Sequence, residues 1–402
     1  MWYYVADKKS NGPLSAEALK RLLQTGVINE ETLLWRRGFK KWTKAGETEL
    51  VREVPATGRR LRLEFTGTAG EYFRIWIVNT FLTLITLGIY AAWAKVRTRR
   101  YFYANTTLDG HPFDYTANPV AILKGHLIVG AGVALYLISG AVSPILTLVV
   151  IGVFGIVFPF LVYKSLRFFA QNTVYRNIRL RFMGTAGESY RVYLLFHLLL
   201  PLTLGLIFPY IAFRKKNYFF GNLAYGTTLN RFRGKAGEFY RVYIFTGLAA
   251  LGVVMIMSIV SAIIIPLVLS GPGVFKSNMA VPVVMFAVMY LMMAAGGVFL
   301  QQFFYTWHTN YCFGNSSLGE LRFKSALRPA KLFRLHLSNI FAIILSFGLL
   351  IPWAKVRRIR YITDNISVFA SEDLDGFVSA ASEGESAYGD VATDFFDLEV
   401  GL

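Results

Sequence analysis

The sequence is short of cysteine, histidine and acid, and each shortage closes off a class of function. One cysteine, Cys312, stands in 402 residues, which excludes an intrachain disulfide and a thiolate metal cluster. The five histidines (His111, His126, His197, His308 and His336) are scattered without metal-ligand spacing. Only 16% of residues are charged, against about 25% in soluble domains, and the hydrophobic middle is almost free of carboxylates. What remains assembles no Ser/His/Asp or paired-carboxylate set, and Gly67-Thr68-Ala69-Gly70 lacks the Gly-Lys-Ser/Thr ending of a phosphate loop. No catalytic residue, metal ligand or cofactor is expected, and the chain does not read as an enzyme. It opens Met1-Trp2-Tyr3-Tyr4, without the basic start and apolar stretch of a leader.

What is abundant is apolar sequence: 54% of residues are hydrophobic and the mean hydropathy is +0.45. Ser143–Tyr163, Ile244–Ser270 and Val281–Phe304 are long runs, free of charge apart from Lys276 in the gap between the last two. Runs of about 20 apolar residues match a bilayer core of about 30 Å, where backbone polar groups must bond within the helix. A helix packed in a soluble core would keep a polar face. The charge is split as sharply. No Lys or Arg follows Arg360, while ten of the 24 acids lie between Asp364 and Glu399. The basic residues cluster at the ends of hydrophobic runs, as at cytoplasmic boundaries and anionic headgroups. A bilayer with anionic lipid, not nucleic acid, is the expected partner.

Residues 1–50 form a separate soluble unit. Trp2–Val5 reads as a strand, Asn11-Gly12-Pro13 as a turn, and Ser15 as the N-cap of a helix through about Thr25. Gly26 suits its C-terminal cap, and Thr32–Arg36 reads as a second strand. With Trp2, Tyr4, Gly12-Pro13, Gly26, Trp35, Gly38 and Trp42, the segment resembles the GYF-like adaptor domain. The resemblance implies a pocket for proline-rich peptide lined by Trp2, Tyr4, Trp35 and Trp42, and hence a cytoplasmic protein partner. This chain has Gly26-Val27-Ile28 where the namesake Gly-Tyr-Phe would stand. The same tryptophans would equally serve as the core of so small a domain. Residues 51–61 read as a linker, 62–369 as the membrane domain, and 370–402 as an acidic tail of disordered composition.

The membrane domain is internally repeated. A leading motif, Phe65-Thr-Gly-Thr-Ala-Gly-Glu-Tyr-Phe-Arg74, returns as Phe182–Arg191 and Phe232–Arg241, with degenerate copies at Phe113–Asn118 and Phe323–Arg334. A basic, aromatic closing motif ends on Asn105, Asn172, Asn222, Asn315 and Asn365. Gly70 to Asn105, Gly187 to Asn222 and Ala330 to Asn365 share one spacing of 35 residues, and Gly88, Gly205 and Gly348 each lie 18 beyond the first member. Such fixed registers mark a duplicated fold. Short units with one hydrophobic segment (about 73–94, 190–213 and 333–354) alternate with long units carrying two (120–163 and 244–304).

This order raises a parity problem. Seven plain spans would put several basic closing motifs outside, against the positive-inside rule. The sequence favours four spans plus three re-entrant segments that break near Gly88, Gly205 and Gly348, with Pro209 and Pro352 helping to stop a straight helix. The expected fold is thus a polytopic α-helical membrane protein with internal repeats, four spans plus three re-entrant segments or seven spans, preceded by a small α+β domain. The N-terminal domain and tail would be cytoplasmic.

Within the leading motif Glu71–Arg74, Glu188–Arg191 and Glu238–Arg241 fall on one helical face as i,i+3 pairs. They could anchor a helix where lipid meets water or clamp an anion. Arg97, Lys164, Arg214 and Arg357 each precede a closing asparagine by eight. Arg74, Arg97, Arg191, Arg214, Arg241 and Arg357 are the candidate contacts to lipid headgroups. Asn79, Asn339, His197 and His336 lie inside short segments, where polar groups either line a path or bond between helices. Three closing asparagines fit the glycosylation triplet by accident of composition.

Phe65–Arg74, Leu87-Gly88-Ile89-Tyr90, Trp93-Ala94-Lys95-Val96-Arg97, Arg100-Tyr101, Leu108-Asp109-Gly110 and Trp353–Arg357 resemble the YjgN-like family of bacterial inner-membrane proteins. The likeness runs from residue 62 to about 369 and implies a bacterial plasma-membrane location without implying an activity. Two functions fit: a transporter or channel for a small solute, or a non-catalytic organiser that recruits a cytoplasmic partner and gathers anionic lipid.

Overall fold

The computed structural model describes residues 2–6, 9–16, 18–19, 22, 28–29, 32–39, 41–45, 48, 59–270, 280–370 and 378. Gly26, Val27 and nearly all of the acidic tail lie outside the described residues.

The N-terminal unit is a sheet of order β2-β1-β3-β4, from Trp2–Ala6, Lys9–Leu14, Leu33–Arg36 and Thr43–Lys44. Alternation along β1 sorts its aromatics. Trp2 is 3% exposed and packs with Leu19, Ile28, Leu34 and Ala45, and Tyr4 packs beside it. Tyr3 faces the other way against Trp35, which also meets Trp42 at 6.4 Å.

The remainder is one antiparallel sheet and five helical hairpins. Strands β5 (Arg59–Leu61), β6 (Leu63–Phe65), β7 (Thr106–Leu108), β8 (His111–Tyr115), β9 (Thr173–Tyr175), β10 (Ile178–Phe182), β11 (Leu223–Tyr225), β12 (Thr228–Phe232), β13 (Ser316–Leu318), β14 (Leu321–Ser325) and β15 (Ile366–Ala370) run in order β5-β15-β14-β13-β12-β11-β10-β9-β8-β7-β6. Only Arg62 separates β5 from β6. Leu61 pairs with Val368 of the last strand, while Leu63 pairs with Leu108 of the first hairpin. The sheet therefore closes on itself into a ring. Residues 59–61, assigned to the linker from sequence, are the strand that completes it, because their β partner lies some 300 positions away and leaves no local signal.

Tight turns join alternate strands. Asp109-Gly110 and Arg176-Asn177 both have positive φ at their two central residues, the twist that matches two antiparallel strands. The other strand pairs are bridged by helices: α1 (Ala69–Ile85) and α2 (Ala91–Ala104); α3 (Pro119–Val142) and α4 (Pro144–Gln171); α5 (Ala186–Tyr190), a π-helical turn Arg191–Leu195 and α6 (Phe196–Leu198), then α7 (Phe208–Gly221); α8 (Ala236–Ser270) and α9 (Ala280–Gly314); α10 (Pro329–Leu345) and α11 (Ile351–Asp364). Asn118 before Pro119 and Ser143 before Pro144 cap their helices through their side chains.

Each short segment folds back on itself. Gly88, Gly205 and Gly348 have φ of 93°, 82° and 91°, and their amides bond to carbonyls five residues earlier. The preceding Leu87, Leu204 and Phe347 are also left-handed, at a cost of roughly 1 kcal/mol each. Pro209 and Pro352 start the returning arms, where a missing N–H costs nothing, so they do not act as breakers of the outgoing arm.

Four helices are long and apolar enough to cross a membrane: Pro119–Val142, Pro144–Gln171, Ala236–Ile263 and Val283–Gly314. Successive arms pack side by side, and α11 packs on α1 to close the circle. At that seam Lys355 Nζ meets Tyr72 Oη at 3.1 Å, Arg360 donates to the Gly67 carbonyl at 2.9 Å, and Val356 joins Phe65, Tyr72 and Phe102.

Candidate functional site

The ring surrounds an axial chamber of about 570 Å³. Its wall alternates by strand geometry: Leu108, Phe113, Tyr175, Leu180, Tyr225, Leu318, Leu321 and Phe323 face inward. Leu61, Ile178, Val368 and Ala370 continue the same cluster, against which Val378 packs. At the helix end the chamber meets Tyr103, Phe169, Phe219, Phe220 and Phe313, each two or three residues before a closing asparagine. Polar lining is sparse, with Thr106, Thr173, Asn230 and Ser316. The Asn230 amide donates to the Phe220 carbonyl at 2.6 Å.

One bonding scheme fixes how every hairpin meets the sheet. The closing asparagine donates its side-chain amide to the carbonyl four residues back in all five units, at 2.7–2.9 Å. Its own carbonyl accepts from the residue after the leading strand, as in Thr66 to Asn105 and Met183 to Asn222. These asparagines are helix C-caps, the role that the sequence left unassigned. In four of the five units a tyrosine four before the closing asparagine reaches across to the leading motif. Tyr101 bonds Thr68, Tyr218 bonds Thr185, Tyr311 bonds Lys235 and Tyr361 bonds Arg328. Phe168 holds this position in the second unit. Burial, then the bond to Glu71, raises the Tyr101 phenol above its ordinary value, and burial raises Tyr218 in the same way. Both hydroxyls stay protonated.

The leading-motif carboxylates follow this scheme more than the expected i,i+3 pairing. Arg241 meets Glu238 at 3.0 Å, but Glu71 accepts from Tyr101 Oη, and Glu188 closes a capping box with Thr185 and accepts from Asn222. The glycine two residues after each leading phenylalanine has a steric cause. A Cβ at Gly67, Gly184 or Gly234 would meet the phenylalanine ring at 2.6, 2.7 or 2.3 Å.

The sequence-derived residues fall in three places. Trp2 and Tyr4 belong to the N-terminal core, leaving Trp35, Tyr3 and the 37%-exposed Trp42 on the other face. Trp35 spends its indole N–H on the Phe39 carbonyl. Arg74, Arg97, Arg191 and Arg241 are exposed, whereas Arg214 lies over Phe196 and Arg357 bonds Ser338 and Asn339. Asn79 and Asn339 are buried between the arms of their hairpins, donating to the carbonyls of Ala94 and Ala354. His197 and His336 sit half-buried in their short segments, away from the chamber lining. The chamber itself went unseen in the sequence, because its lining comes from short strands with no individual hydrophobic signature.

Four helices of bilayer-crossing length and a closed ring of hairpins define an integral, multi-spanning membrane protein built by internal repetition. The chain belongs to the family described as Bacterial protein of unknown function (DUF898), whose model matches residues 60–395, and residues 2–49 match GYF domain 2. Inner membrane protein YjgN of Salmonella typhimurium is 36% identical over 132 residues, covering 32% of this chain and 33% of that protein. The protein of the same name from Escherichia coli K12 is 51% identical over 51 residues, 13% of each chain. The chain thus spans about a third or less of these relatives' length in the matched segments. No solved structure matches.

Proposed function

We propose that the chain is a transport-type protein of the bacterial inner membrane, in which a small solute moves along the axis enclosed by the five hairpins. The observation that carries this reading is the double closure, α11 on α1 and β15 on β5, around one axial chamber. Repeated units with broken helices are the usual architecture of such proteins.

The membrane level follows from length. Arg97, Arg214 and Arg357 each lie nine residues from the tip glycine of their hairpin, about 14 Å at 1.5 Å per residue. Lys164, at the equivalent position, lies 21 residues from Ser143, about 31 Å, which is the thickness of the hydrocarbon core. With these cations at one interface, the long hairpins cross and the short ones enter about halfway. The tips support this. Leu87, Leu204 and Phe347 are 94%, 91% and 96% exposed, and leaving each in water rather than lipid would cost about 2 kcal/mol. Both ends of every hairpin join adjacent strands, so in this proposal the sheet lies on one side of the bilayer, and the basic residues argue that this side, with both termini, is cytoplasmic.

Proteoliposomes with a panel of entrapped small solutes test the proposal. Protein-dependent release that falls when Phe220→Trp and Phe313→Trp narrow the axis is expected. Vesicles as tight as protein-free ones for every solute would sink it. The alternative, an organiser that recruits a partner through its N-terminal domain, draws on the exposed Trp42 beside Trp35. It predicts partner capture by the full chain that Trp42→Ala abolishes.

A further inference from the structure

We propose that the axial chamber is a binding site for a single-chain anionic amphiphile, with the alkyl chain among the ring strands and the acid group at Arg99. The proposal deepens the axial reading and rests on it for the route of entry from the bilayer.

The lining sets the chemistry of the occupant. A chamber of about 570 Å³ falls within the range of small-molecule sites, and apart from two threonines, Asn230 and Ser316 it offers hydrocarbon and aromatic faces. Asn230 already spends its amide on Phe220. Water would find few partners there, and an empty space would cost the lining its dispersion contacts. The lining runs from Leu321 and Tyr225 near the hairpin turns to Phe169, Phe219 and Phe313 at the helix ends. An alkyl chain laid between those two ends meets apolar side chains throughout.

The charge lies at one end. Arg99 is one helical turn before Tyr103, and Lys216 one turn before Phe220, so each cation stands above a lining residue on the same helix face. The Arg99 guanidinium lies 5.7 Å from the centre of the Phe169 ring, which also lines the chamber, and 5.1 Å from that of Tyr115. It donates to Tyr115 Oη at 2.7 Å, and among the described residues no carboxylate pairs with it. A guanidinium has five N–H donors and a fork that matches a carboxylate or phosphate. Val378 packs against the ring-strand cluster. Arg99 and Lys216 lie on the returning helical arms, so the cationic end faces the helices and the membrane.

The full chain in detergent, stripped of co-purified lipid, is titrated with the fluorescent probe 11-dansylaminoundecanoic acid. The expected result is saturable binding at one site per chain, displaced by palmitic acid at least tenfold more effectively than by hexadecanol. Arg99→Gln should bring acid and alcohol within about twofold while chain binding persists, and Leu318→Trp, which fills the chamber from an inward-facing position, should abolish binding. Should Leu318→Trp fail to fold, Leu180→Trp serves the same purpose. Palmitic acid and palmitoyl lysophosphatidylglycerol as separate competitors distinguish a free acid from a lipid phosphate as the source of the charge. Absence of saturable binding overturns the proposal, as does binding untouched by both chamber variants. Binding that appears only after truncation at Ser371 overturns it too, by making the tail the native occupant. Loss of solute release with probe binding intact would remove the transport reading alone, and intact release without probe binding would remove this assignment alone.

Discussion

The hydroxyl of Tyr101 accepts from the Thr68 amide at 2.9 Å, and its one proton is shared between the Thr68 carbonyl at 2.9 Å and the Glu71 carboxylate at 3.1 Å. Thr68 is the N-cap of the outgoing arm and Tyr101 lies in the last turn of the returning arm. One phenol thus sets the spacing of two helices at the sheet; Tyr311 and Tyr361 repeat the two-way contact, and Tyr218 keeps only the donation, to the Thr185 carbonyl.

Removing that oxygen should loosen the base of a hairpin. Tyr101→Phe leaves the Thr68 amide without its partner, while the Thr68 carbonyl keeps the Tyr72 amide, at about 1–3 kcal/mol. The melting temperature of the detergent-solubilised chain should drop by a few degrees, and an unchanged value would contradict the role. Phe168→Tyr, in the unit that lacks the hydroxyl, should not restore a doubly mutated chain.

The same residue predicts an alkaline dependence. Burial and the bond to Glu71 favour the neutral phenol in the folded state, raising its pKa above the ordinary value. The stability advantage over Tyr101→Phe should be complete below about pH 10, the unfolded value, and be lost as the pH rises through the folded one. Denaturation curves of both chains from pH 7 upward check the sign.

The two kinds of leading-motif glycine should behave oppositely. Gly184→Ala drives a methyl into Phe182 and Tyr218 at under 3 Å and should cost about 1–3 kcal/mol. Gly187→Ala, three residues on, meets nothing within 4 Å and should be neutral or stabilising by up to about 1 kcal/mol. Thermal melts of the pair decide it.

The proposed half-insertion of the short hairpins is open to labelling. In a Cys312→Ser background, Leu204→Cys should react with a bilayer-soluble maleimide and resist a charged one from either face. Thr98→Cys should react with the charged reagent from the cytoplasmic side only. Periplasmic labelling of either position would restore the seven-span alternative.

The helices were legible in the sequence because each carries its own signal: Asn118-Pro119 and Ser143-Pro144 at starts, glycines at tips, and charge-free runs between. The bend at Gly88, Gly205 and Gly348 was legible through spacing. The closed sheet was not. Strands such as Thr106–Leu108 and Ser316–Leu318 span three residues, too few to show a period of two, and their partners come from other repeats. Asn79 shows the same limit, since a buried asparagine looks alike in sequence whether it lines a path or bonds Ala94.

Closure through Arg59–Leu61 has a consequence for biosynthesis. Its partner, Ile366–Ala370, leaves the ribosome after the other ten strands of the ring, so the nascent ring carries two open β edges until that strand emerges. Such edges invite pairing with other chains. A product ended before Ile366 would keep all four long helices and still leave its first and last units unjoined.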